Sequence, residues 1–139
     1  MTRRRGDEGA VSLFVIVLAV ALLAAVGLVV DGGGKIRALE RADEAAREAA
    51  RAGTQMLDVP AAVRGERVEV DPVAAGRAAR TYLAAAGVEG TVSVSGATVT
   101  VSTRIVYRPV FLGLVGVDPM PVTGEASATP VMSDDEEVP

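Results

Sequence analysis

Neither cysteine nor histidine occurs in this chain, so the side chains that most often serve as nucleophiles, general bases and zinc ligands are missing. Disulfides, Ser-His and Cys-His pairs and thiolate metal sites are thereby excluded. What chemistry remains belongs to carboxylates, to Tyr82 and Tyr107, to Lys35 and to hydroxyls. Asp134, Asp135, Glu136 and Glu137 cluster near the C-terminus. Such a run could hold calcium loosely, but it lacks the mid-loop glycine and fixed ligand spacing of a calcium loop and reads as a solvated tail. Asp31 directly follows a long apolar run. It reads as an interfacial cap for the helix after it, with neutralisation of a partner's charge as the other option. Gly34-Lys35 invites a phosphate-loop reading, which fails: Val29 stands where the first glycine belongs and Ile36 where Ser or Thr should follow. The expectation is a protein that is not an enzyme, with no catalytic residues, metal or other cofactor and no small-molecule substrate.

The element that dominates the chain is the run from Ala10 to Val30, twenty-one residues with no charge and one polar side chain, Ser12. As a helix it would be about 30 Å long, matching the hydrocarbon core of a bilayer. Arg3, Arg4 and Arg5 precede it and favour a cytoplasmic N-terminus, although Lys35, Arg37 and Arg41 lie on the far side. Cleavage as a signal peptide after Ala19-Val20-Ala21 is the chief rival, but it would leave the apolar stub of residues 22–30. A domain this small could hardly enclose such a helix in a soluble core. The net charge of −4 is accounted for by the acidic tail, and the rest balances, which argues against nucleic acid. Thirteen of the fourteen basic residues are Arg, the flavour of a GC-rich bacterial genome.

The organisation expected is a basic cytoplasmic N-terminus (1–9), a transmembrane helix (10–30), a juxtamembrane hinge and amphipathic helix (31–57), a small α+β extracytoplasmic domain (58–131) and a disordered acidic tail (132–139). Three consecutive glycines, Gly32, Gly33 and Gly34, predict the hinge, since each costs a helix about 1 kcal/mol relative to Ala. Residues 35–57 carry small apolar residues at helical spacing, with Asp43 and Glu44 placed to pair with Arg47 and Glu48 with Arg51. This small-residue face either lies on the chain's own sheet or receives another protein's backbone. Asp58-Val59-Pro60 is expected to end it, and residues 67–70 could form a short strand. Asp71-Pro72 then predicts an N-cap and first turn for a helix over 73–86, with Val73, Ala74, Ala78, Tyr82, Leu83 and Ala86 available for burial and Gly87 as its stop.

Alternation with a period of two predicts strands over 91–95 and 97–107, turned at Gly96. Val99, Val101, Ile105 and Tyr107 are the candidate inward positions, with a phase change near Thr103. Residues 110–117 are apolar, as a short helix or loop, and alternation from Pro121 onward predicts the last strand through Val122, Gly124, Ala126 and Ala128. The fold class expected is α+β: an N-terminal transmembrane helix continuing into an amphipathic helix, then a small antiparallel sheet with a second helix.

This layout resembles the TadE/TadG-like proteins, the minor pilins (pseudopilins) and pilus-assembly proteins of the tight-adherence, Flp-type pilus system. The similar residues are Glu8-Gly9-Ala10-Val11-Ser12 before and into the run, Leu28-Val29-Val30-Asp31-Gly32-Gly33 at its exit, the Ala/Arg/Glu helix to Gly53, and the closing segment from Met120 to Ala128. Prepilin peptidase substrates carry Glu at the fifth mature position. Here that position is Phe14 counted from Gly9, or Val11 counted from Gly6. The resemblance therefore implies an anchored TadG-like or accessory protein rather than a repeating subunit. It implies an inner-membrane, single-pass protein acting by contact with other pilus or secretion proteins, or with itself. The partner-binding face would be Ala42, Ala46, Ala49 and Gly53, and Gly32 to Gly34 the hinge. The alternative function is a secreted binding domain released by signal peptidase.

Overall fold

A computed structural model describes residues 5–56 and 70–130, with side chains described from Gly9 onward. The helix stop expected at 58–60, most of the strand expected at 67–70 and the acidic tail lie outside the described residues. The elements are helix α1 (Arg5–Thr54), helix α2 (Pro72–Ala86), strand β1 (Glu89–Ser95), strand β2 (Thr98–Tyr107), short helix α3 (Phe111–Leu114) and strand β3 (Met120–Ala128). The class is α+β, as the patterning predicts. Two compact units divide the chain: residues 1–36 with 107–120, and residues 37–106 with 121–139.

Helix α1 is one continuous element of 50 residues. Gly32, Gly33 and Gly34 are helical within it, so the expected hinge is not a break in the secondary structure. Gly34 must be glycine because the Tyr107 ring comes close to it, whereas a Cβ at Gly32 would meet nothing within 4 Å. The apolar run is long and apolar enough to cross a membrane, reaching a mean hydropathy of 3.2 with only 6% of that window buried by the chain. Between residues 9 and 30 only Gly27 is buried. A core helix of a soluble domain would be covered by its own protein, and this one is not.

In the second unit the sheet has the order β1-β2-β3. β1 and β2 form an antiparallel hairpin in which Val92 faces Val101, Val94 faces Val99 and Ser95 faces Thr98. Gly96 opens the two-residue turn at φ 57°, a conformation that costs residues with a Cβ. On the outer face the hydroxyls of Thr98 and Thr129 lie 3.2 Å apart and those of Thr100 and Ser127 2.9 Å apart. These pairs advance in opposite directions along the two segments, so β3 runs antiparallel to β2.

The core lies between the inner face of this sheet and the two helices. It gathers Ala45, Ala46, Ala49 and Ala50 of α1, Ala75, Ala79 and Leu83 of α2, and Val99 and Val101 of β2. Val70, a lone bridge residue, joins it at 2% exposure, and the Asp71 N–H donates to the Met56 carbonyl at 3.0 Å. Helix α2 begins as expected: the Asp71 carboxylate accepts from the Val73 and Ala74 N–H groups at 2.9 and 3.1 Å. It ends on Gly87 in the left-handed region. Its buried face matches the expected one at Leu83, with Ala74 and Ala78 half-buried, and differs elsewhere. Ala75, Gly76, Ala79 and Leu83 turn inward, while Val73 and Ala86 are exposed and Tyr82 is 37% exposed. Small residues win because they let α2 approach the core closely, where Val73 and Tyr82 would hold it away.

Candidate functional site

The small-residue stripe of α1, expected to receive a partner, is filled by the chain itself. Ala42, Ala46 and Ala49 have no exposed surface. A Cβ at Gly53, also buried, would stand 2.9 Å from a Val99 methyl and 3.3 Å from the Ala75 carbonyl oxygen. Across the sheet, a Cβ at Gly124 would run into the backbone of Ala42 and Asp43. These residues are small because β2, β3 and α2 come down onto the helix backbone, not because a second protein does. On the polar side Arg51 pairs with Glu48 at 3.1 Å, and among the described residues Asp43 and Glu44 form no such pair with Arg47.

Thr103 marks the centre of this packing. It does not break the alternation of β2, as expected, but continues it: Val99, Val101 and Thr103 are buried, and Ile105 and Tyr107 half-buried. A hydroxyl taken from water must find a partner. Thr103 Oγ1 lies 2.7 Å from the Ala42 carbonyl, to which it donates, and 3.3 Å from that of Gly124.

The most constructed polar site is Asp31. It is 2% exposed although charged residues are seldom buried without partners. Its Oδ1 accepts from the Val110 N–H at 2.7 Å and from the Tyr107 hydroxyl at 3.1 Å. Its Oδ2 accepts from the Phe111 and Leu112 N–H groups at 3.0 and 2.6 Å. The carboxylate thus caps a helix, but the short α3 and not the helix that follows it in sequence. An N–H can only donate, so three of the four partners demand a pure acceptor, and an ionised carboxylate meets that demand best. Each oxygen takes two donors, which leaves little free acceptor capacity for a partner's charge.

Two glycines of α1 let the loop of residues 107–117 lie against the helix. A Cβ at Gly27 would come within 2.9 Å of Phe111 Cβ and 3.2 Å of its Cγ. A Cβ at Gly34 would stand 2.7 Å from two ring carbons of Tyr107. The spacing of seven residues places both glycines on one helix face, two turns apart, with Asp31 between them. Sequence reasoning singled out Asp31 and the apolar loop separately. No local signal joins them.

A shallow groove of about 520 Å³ lies in the second unit, half of its lining alanine and the rest Met56, Arg77, Thr81 and Tyr82. Among the described residues no three carboxylates gather as a metal site would require. Comparison of the chain with protein-family models, with curated proteins and with solved structures gives no match.

Proposed function

We propose that this chain is a single-pass membrane protein, its N-terminus cytoplasmic and its α+β domain extracytoplasmic, that acts by protein–protein contact in a Tad/Flp-type pilus-assembly or secretion machine. It would serve there as a minor pilin or accessory component and carry out no catalysis. The observation that carries the membrane part is the bare apolar stretch of α1, of whose most apolar window 6% is covered by the chain. Lipid is the solvent that suits such a surface. The pilus or secretion part is supported by the layout in which one helix holds the apolar run and then supplies the alanine face of the domain core. Arg3, Arg4 and Arg5, directly ahead of the run, favour this orientation, and Lys35, Arg37 and Arg41 beyond it weigh against it.

The partner surface belongs elsewhere than Ala42, Ala46, Ala49 and Gly53, which are occupied. Immunoprecipitation of the full chain from detergent-solubilised membranes tests this reading. Co-recovery of pilus or secretion components is expected. Recovery of the chain alone, or a soluble product beginning near Leu22, would overturn it.

A further inference from the structure

We propose that the loop from Val110 to Val117 is a second membrane-seated element, dipping into the lipid beside α1; this rests on the membrane reading above. Its tip is apolar and bare: Leu114 is 82% exposed, Val115 77% and Val110 63%. Scattered apolar residues on a surface need no explanation, but a contiguous apolar patch does. What covers this one is indicated by where it sits. Phe111 rests on Gly27, inside the apolar run and three residues short of its end, or about 4.5 Å along the helix axis. Any lipid around the last turn of the run therefore meets the loop as well. Arg108 and Asp118 bracket the apolar stretch, and no charge lies between them.

The backbone is also prepared for a medium without water. In lipid an unpaired N–H costs several kcal/mol, which is why irregular segments rarely enter it. Here the N–H groups of Val110, Phe111 and Leu112 donate to Asp31. Those of Val115, Gly116 and Val117 donate to the carbonyls of Leu112, Gly113 and Leu112. On this account Asp31 is the device that makes the loop compatible with lipid: it supplies, from the helix, the acceptors that water would otherwise provide.

The chain has no tryptophan, so single Trp variants of the full chain in phosphatidylcholine–phosphatidylglycerol vesicles report depth directly. Leu114→Trp and Val115→Trp probe the loop at exposed positions whose replacement disturbs no packing. Val20→Trp probes the apolar run, and Ser93→Trp the outer face of the sheet. Both loop variants are expected to show blue-shifted emission and loss of intensity with lipids brominated near the headgroup. Val20→Trp should lose intensity with lipids brominated deep in the chains, and Ser93→Trp with neither. Water-like, unquenched loop emission beside a quenched Val20→Trp would overturn the loop assignment and leave the anchor standing. An unquenched Val20→Trp would instead overturn the membrane reading beneath it. In native membranes, where the absence of cysteine permits Leu114→Cys labelling, an impermeant maleimide should react severalfold more slowly than with Ser93→Cys. Slow labelling there, combined with unquenched loop emission in vesicles, would assign the cover to a protein and overturn the proposal.

Discussion

Two buried polar side chains, Asp31 and Thr103, show how single residues fix the arrangement of backbone around them. Asp31→Asn keeps the shape but replaces one acceptor oxygen by a donor facing N–H groups. Hydrogen exchange of the full chain in detergent should then reveal faster exchange at Val110 to Leu112, with the β1–β2 hairpin unchanged; unchanged exchange at the loop would refute the clamp. Thr103→Val keeps the volume and removes the hydroxyl that meets the Ala42 carbonyl, at a cost of about 1 kcal/mol. The check is a denaturant midpoint in detergent, where a neutral result would show that the bond contributes nothing. Asp31 was recognisable in the sequence as a carboxylate beside an apolar run. Its donors were not, because they lie 76 to 81 positions away. Thr103 looked like a change of phase because period-two reading counts any hydroxyl as outward, and only the carbonyl of a distant helix makes the inward position tolerable.

At the scale of elements, glycine and alanine mean different things at different positions of α1. A Cβ at Gly32 meets nothing within 4 Å, so Gly32→Ala should raise helix stability by about 1 kcal/mol. Gly34→Ala should destabilise instead, because the new methyl collides with the Tyr107 ring. Opposite signs from neighbouring glycines, read by thermal unfolding in detergent, distinguish close packing from a hinge, which would lose function with both. Ala46→Leu places three extra carbons in a closed core and should cost about 1–3 kcal/mol or more. Partner capture should fall only in proportion to unfolding, and a selective loss of capture in a fully folded variant would restore the docking face. The caps and turn of α2 and the hairpin were readable because Asp71, Gly87 and Gly96 act on their immediate neighbours. The buried face of α2 was not, since Ala-rich helices offer several apolar faces and the choice among them depends on what approaches.

For the whole molecule, the decisive property is that a stretch as apolar as any core is left uncovered. Washed membranes should retain the intact chain through alkaline carbonate and release it in detergent. Release of the full-length protein by carbonate would remove the basis for both the anchor and the loop. The proposed function by contact would have to use surfaces other than the alanine stripe, because the domain covers that stripe itself.

The long apolar helix, the α+β class, the hairpin and the helix caps were determined by sequence alone, because composition, periodicity and short-range turn chemistry act within a few residues. The tertiary structure alone decided that the small residues of α1 serve the chain's own sheet, that Asp31 holds the Val110 loop, and that Thr103 points inward. Each of these depends on two backbones distant in sequence coming within hydrogen-bond or van der Waals reach, and no local pattern encodes which pair will meet.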